Sequence, residues 1–325
     1  MIGTSRITHP LVRLLVERLL IGLVTLWVVL TLIFIAVNFL PGDLAEVILG
    51  MDASPEAVAA IRRDLGLDEP LLQRYVAWIG QMVQGDFGRS YATKREISDL
   101  LASRLTNTLF LAGLAAAIAV PLALTLGVLA ALYRNSFYDR AVNGFSLAAM
   151  SLPDFFVAYI LIVVLATKLQ IFPSMSPVDV STPFWTHVYR CLLPALTLSL
   201  ISIAHMMRMT RAAIINLMAS AYIEMAHLKG VPRRRVVLWH ALPNAIPPII
   251  NVVMFNLAWL IVGVVVVEVV FAYPGLGQVL VDSVGKRDVP VVQACSLIFA
   301  STYVLLNLLA DIFSLLSNPR ILHPR

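Results

Sequence analysis

The chain has 325 residues, 59% of them hydrophobic and 13% charged, with a mean hydropathy of +0.86. A soluble domain carries roughly 25% charged residues, so this composition excludes one and points to an integral membrane protein. The net charge of +5 is spread over arginines that never form a basic, aromatic-rich surface, which excludes nucleic acid as a partner, and the two cysteines lie in apolar runs, which excludes a disulfide framework.

Six apolar runs can be drawn, approximately Leu19–Leu40, Leu105–Tyr133, Ala141–Thr167, Cys191–Met207, Ala245–Ala272 and Val289–Ser317. A spanning helix needs about 20 residues, so each run qualifies, the fourth by continuing to about Met218. The first run is too long for a signal peptide, whose apolar region covers about 7–15 residues. Six spans put both termini on one side. That side carries thirteen Lys and Arg: Arg6, Arg13, Arg18, Arg134, Arg140, Arg208, Arg211, Lys229, Arg233 to Arg235, Arg320 and Arg325. The opposite short loops carry four, Lys168, Arg190, Lys286 and Arg287. Positive charge stays inside, so both termini are expected in the cytoplasm.

The first outer loop, Pro41 to Arg104, is long enough for a small helical subdomain. Ser54 caps a predicted helix with Pro55 at its first position and Gly66 at its close. A second helix over Pro70 to Gln84 carries Leu71, Leu72, Tyr75, Trp78, Ile79 and Met82 as an apolar stripe. It either caps the outer ends of the spans or docks an external partner. Pro121 and Pro153 interrupt the second and third runs. Measured from Ala141 along a straight helix, Asp154 lies about 19 Å in, near the membrane centre. An ionisable group there is a candidate pathway residue, a carboxyl paired with a neighbouring helix to lock the bundle, or one left wet by a helix break. His205 reads as a hydrogen-bonded packing residue. Glu268, two turns from the outer surface, is expected to reach water or a basic partner. Pro274-Gly275 fits the centre of a type II turn, followed by a short helix over Leu276 to Val284.

Between the fourth and fifth runs stands one water-soluble stretch, Ser220 to Asn244. Ser220 is expected to cap a helix that Gly230 ends in a left-handed conformation. Pro232 suits the first turn of a second helix, which Leu242 and Pro243 end. By composition the stretch is a basic membrane-surface helix. No Gly-x-x-x-x-Gly-Lys-Ser/Thr sequence occurs in the chain.

Glu224-Met-Ala226-x3-Gly230-x9-His240-x-Leu242-Pro243 resembles the EAA loop of bacterial ABC importer permeases. Elsewhere in the chain, Leu40-Pro-Gly-Asp43, Leu65-Gly-Leu-Asp-Glu-Pro70, Gly85-Asp-Phe-Gly88 with Ser90, Glu268-x2-Phe271-x2-Pro-Gly-Leu-Gly277, Arg287-Asp288 with Pro290, and Asn318-Pro-Arg320 resemble the dipeptide/oligopeptide/nickel branch of those permeases. Met225, Leu44 and Asn318 depart from its pattern. The resemblance implies an all-α integral membrane protein of the bacterial inner membrane, six transmembrane helices in the type I ABC importer permease fold. Residues 1–40 would be tail and first span, 41–104 the outer subdomain, and 105–325 the permease core with its coupling loop 220–244. Tyr222, Glu224, Met225, Ala226, Gly230, His240, Leu242 and Pro243 would couple to an ATPase, with Ile223, Met225, Ala226 and Leu228 buried in its groove.

The implied partners are a second permease, two ATPase subunits that bind ATP and Mg, and a solute-binding protein outside. No cofactor is implied in this chain, and no catalytic residue. The implied cargo is di- or oligopeptide, with nickel complexes, opines or oligosaccharides as alternatives. Two other classes remain: an ion-gradient transporter with Asp154 or Glu268 as ion sites, and a non-transporting assembly subunit.

Overall fold

The computed structural model describes residues 10–39, 44–49 and 54–317. The Leu40–Asp43 and Asn318–Arg320 motifs and the terminal Arg6, Arg320 and Arg325 lie outside the described residues, and the side chains of Arg13 and Leu44 are likewise not described. The described chain is helical, with one isolated bridge between Arg89 and Glu96. Helix α1 spans Pro10–Asn38, α2 Leu44–Leu49, α3 Pro55–Asp64, α4 Leu71–Val83 and α5 Ile97–Leu132. Helix α6 spans Phe137–Met150, and α7 Asp154–Leu161 continues as a π-helix over Ile162–Lys168. Helix α8 spans Phe184–Met218, α9 Ala221–Leu228 and α10 Arg233–Arg235, which runs through a π-helix, Val236–Ala241, into α11, Leu242–Val270. Helices α12, Leu276–Gly285, and α13, Val289–Ser317, complete the chain.

Five of these segments are long and apolar enough to cross a membrane, and a sixth if the α6–α7 pair counts as one bent span. That pair departs from the expected third span. The helix breaks at Ser151–Pro153 and its halves diverge by 109°. Proline removes a helical donor and pushes the residue before it out of the helical region, so Leu152 is where the helix fails. Asp154 therefore opens a new helix and does not lie 19 Å along a straight one. The fourth span does reach Met218, as expected.

Two compact units form. One draws on Thr25–Thr108 and Pro274–Ser301. In it, Ser54 accepts from the Ala57 N–H, Pro55 opens α3, and Gly66 closes it at φ +62°, as the sequence predicts. The α4 stripe is half used: Trp78 and Met82 pack on Leu30 and Phe34 of α1, whereas Leu71 and Leu72 stay exposed. The Phe34 and Trp78 rings stack with centroids 5.5 Å apart, and Arg74 donates to Asn38 Oδ1 at 2.8 Å. A second cluster joins Ile97 and Leu101 of α5 to Leu276 and Val279 of α12 and to Val291, Ala294 and Cys295 of α13.

The other unit draws on Met1–Val24, Leu109–Tyr273 and Thr302–Arg325. Its centre is α8 packed on α11 and α6. Gly127 lets α5 approach α8 closely, since a Cβ there would stand 2.8 Å from the Met207 carbonyl oxygen. Small residues serve membrane helices this way, letting backbones touch where burial from water supplies no drive.

Helix α11 ends differently from the expectation. Gly275 is extended at φ −102°, so no type II turn forms. The left-handed residue is Ala272, at φ +47°, and Tyr273 N–H donates back to Glu268 O at 2.9 Å. This is a Schellman ending with alanine in the usual glycine position. Gly275 then precedes α12, whose Leu276 N–H is taken by the Thr108 hydroxyl at 2.8 Å.

Candidate functional site

The corner between α8 and α11 is built from its punctuation. Gly230 stands at φ +74°. Its N–H donates to His227 O at 2.9 Å, and Val231 N–H donates to Ala226 O at 3.2 Å, which together make a complete Schellman motif. Only glycine adopts that conformation without cost. Pro232 occupies the capping position of α10 at ψ 143°, one place before the predicted first turn. Ser220 sits at the cap of α9, but its hydroxyl donates back to Leu217 O and accepts no helix N–H.

Leu242 and Pro243 do not end the second helix, which continues as one segment from Arg233 to Val270. Pro243 has no N–H to offer Trp239, and the wider π turn over Val236–Ala241 absorbs the defect. The His240 carbonyl accepts from Asn244 Nδ2 at 2.8 Å, with the Tyr222 hydroxyl 3.4 Å away.

Ile223 is wholly buried among Ile214 of α8, Val236, Val237 and Ala241 of the π turn, and Ala245 and Ile249 of α11, with Ala226 packed alongside. The expectation that Ile223 is buried in a partner's groove is therefore corrected: it holds the corner onto its own spans, with the partly buried Ala226 beside it. What remains outward is Glu224 with Tyr222, Met225 and Leu228 on α9, and Trp239 and Pro243 on the second helix. Met225 is 53% exposed, Leu228 76% and Trp239 75%, an apolar surface without cover in the single chain.

The two candidate pathway residues are not brought together with this corner. Asp154 lies in the first turn of α7, where a carboxylate suits the helix dipole, facing Gly263 of α11: a Cβ on Gly263 would lie 3.5 Å from its Oδ2. Glu268 is 0% exposed, so of the two expected contacts, water or a basic partner, its side chain does not reach water in the single chain. The Schellman ending folds Tyr273 back onto the last turn of α11, its N–H reaching Glu268 O. Tyr273 is buried as well, which pushes its phenol well above the usual range, and its hydroxyl lies 3.0 Å from His187 Nε2.

Sequence reasoning missed a charged pair. Arg211 of α8 grips Asp139 of α6 with two bonds, Nε to Oδ1 at 2.6 Å and Nη2 to Oδ2 at 2.8 Å. Asn143 Nδ2 and the Asn135 N–H also donate to that carboxylate. No local signal links residues 72 positions apart. His205 is hydrogen-bonded as expected, to Asn256 of α11 at 3.3 Å. Among the described residues no group of three or more His, Cys, Asp or Glu is poised for a metal.

The family model for the binding-protein-dependent transport system inner membrane component matches residues 123–323, and the model for the N-terminal part of that membrane component matches residues 11–112. The chain belongs to this family. The permease is 38% identical over 306 residues to the glutathione transport system permease protein GsiC of Escherichia coli K12, covering 94% of this chain and 97% of the relative. The protein of the same name from Shigella dysenteriae serotype 1 matches equally, and that from Shigella boydii serotype 4 is 37% identical over the same share of each chain. This permease is thus a multi-pass inner-membrane subunit of an ABC importer. Its sequence matches span both the apolar helices and the corner.

Proposed function

We propose that this permease pairs with a second permease subunit and rests on two ATPase subunits that bind ATP and Mg. In this reading an extracytoplasmic binding protein delivers it short peptides, di- and oligopeptides among them. Both termini and the 220–244 loop face the cytoplasm, a placement supported by the bias of Lys and Arg. The observation that carries the reading is Ile223. Its burial in a cluster shared by α8 and α11 makes α9 one body with two spans, so a push on Tyr222, Glu224, Met225 or Leu228 tilts both. Gly230 keeps the corner closed while it moves. The name of the Escherichia coli relatives supports a peptide-like cargo, since glutathione is a tripeptide.

The test is uptake of labelled glutathione and tri-alanine by the complete complex in proteoliposomes, with ATPase activity read in parallel. Gly230→Val is expected to abolish uptake, either by losing the ATPase on purification or by leaving its hydrolysis unresponsive to binding protein. Normal uptake by that variant would overturn the coupling role. Uptake that survives ATP depletion but collapses with the proton gradient would favour ion coupling. Mass spectrometry of the compound that copurifies with the binding protein identifies the cargo.

A further inference from the structure

A cavity of about 240 Å³ opens between α8 and α11, lined by Met150, Ile201, Ser202, His205, Phe255, Asn256 and Trp259. Its walls are apolar and its polar groups converge at one place. Asn256 Nδ2 donates to Val252 O at 2.7 Å, which fixes the orientation of the amide. The second N–H of that nitrogen points to His205 Nδ1 at 3.3 Å. An amide nitrogen only donates, so Nδ1 is the accepting nitrogen in this pair and the ring N–H is on Nε2. The pair is left with one donor, His205 Nε2–H, and one acceptor, Asn256 Oδ1. Neither makes a further hydrogen bond among the described residues.

A donor and an acceptor side by side are the complement of a peptide group. Arg208, one turn beyond His205 on α8, contacts rim residue Met150 through Nη1 at 3.6 Å from Sδ and forms no ion pair among the described residues. It offers a charge for a carboxylate at the mouth. His205 precedes the end of α8 at Met218 by thirteen residues, and Asn256 follows the start of α11 at Leu242 by fourteen. Both residues lie on helices long and apolar enough to cross a membrane, with His205 one turn before Arg208 on α8. Trp259 and Phe255, one helical turn apart on α11 and each half exposed, wall the opening.

We propose that this cavity is a contact site for the transported peptide on its way through the permease, with His205 and Asn256 holding a backbone peptide group and Arg208 its terminal carboxylate. The proposal rests on the peptide reading above.

The test uses the complete importer with labelled tri-alanine and glutathione. Photoreactive p-benzoylphenylalanine in place of the half-exposed Phe255 is expected to cross-link to the labelled peptide, and excess unlabelled peptide to suppress it. His205→Leu and the cavity-filling Met150→Trp are expected to lower uptake at least fivefold while binding-protein-stimulated ATPase activity stays within twofold of wild type. Unchanged uptake in both variants, or cross-links only to protein, would overturn the proposal. A parallel loss of ATPase activity in both variants would assign the pair to helix packing and overturn it too. If the wild-type complex imports neither peptide, the peptide reading itself fails, and this site with it.

Discussion

The Ser90 hydroxyl donates to Asp288 Oδ2 at 2.5 Å, joining residues 198 positions apart. The backbone N–H groups of Tyr91 and Ala92 donate to the same carboxylate at 2.9 and 3.2 Å, and both Ser90 and Asp288 are almost fully buried. Burial also raises the Tyr91 phenol, a shift that Arg74 opposes and Asp288 reinforces. One carboxylate thus organises the 90–92 loop beside the start of α13. Asp288→Ala leaves three donors without their acceptor, at about 1–3 kcal/mol for a buried donor so stranded. Amide hydrogen exchange over residues 90–97 should rise at least tenfold, while Asp288→Asn, which keeps one acceptor oxygen, should sit between. Wild-type protection in the alanine variant would contradict this account.

The Arg211–Asp139 pair is buried on the carboxylate side, so removing the cation strands a charge. Arg211→Ala should destabilise the permease by about 3 kcal/mol, the low end for a broken buried pair because Arg211 is partly exposed. Removing both charges, as in Asp139→Asn with Arg211→Met, should restore much of the loss. Thermal unfolding in detergent reads the difference. Equal losses in single and double variants would argue against coupling of the two side chains.

Gly127 and Gly113 occupy the same helix and should respond in opposite ways. A Cβ on Gly127 meets the Met207 carbonyl and Thr210, while one on Gly113 meets nothing within 4 Å. Gly127→Ala should cost about 1–3 kcal/mol by overpacking. Gly113→Ala should be neutral or slightly stabilising, since alanine is the better helix former. Comparable melting temperatures for the two variants would refute the close approach.

Ala272 offers the reverse experiment. It holds a left-handed conformation that costs an L-residue about 1–2 kcal/mol. Ala272→Gly should remove that strain, less the entropy glycine loses on folding, for a net gain of about 1 kcal/mol. A lowered melting temperature would show that the alanine methyl packs well enough to offset the strain.

How much of this was legible depended on whether the physics was local. Ser54, Pro55 and Gly66 mark α3 because capping and left-handed closure are decided within a few residues. Gly230 was legible for the same reason. The ending of α11 was misread because Pro274-Gly275 carries a strong local preference, yet the chain had already turned at Ala272, whose residue type gives no warning. The reach of the second corner helix was misread too, since a π turn can carry a helix past a proline that normally stops it. Ile223 looked like a partner-facing residue, because the walls that bury it come from positions 214 to 249 and only the fold assembles them. Asp139–Arg211 and Ser90–Asp288 were invisible as pairs. Long-range bonds leave no trace in spacing.

Ile223 is sealed within its own chain and Gly230 closes the turn, so the single chain alone holds the corner in a defined shape. Ordering a free segment of this length would cost roughly 1–2 kcal/mol per residue in backbone entropy alone. Here that cost falls on folding the permease and not on assembly. An ATPase subunit seating as proposed against Tyr222, Met225 and Leu228 would meet a preformed surface, so its association rate should follow collision and charge, with little delay for rearrangement. The same residues cut out as a free peptide would lose the walls around Ile223, and should compete poorly for that seat.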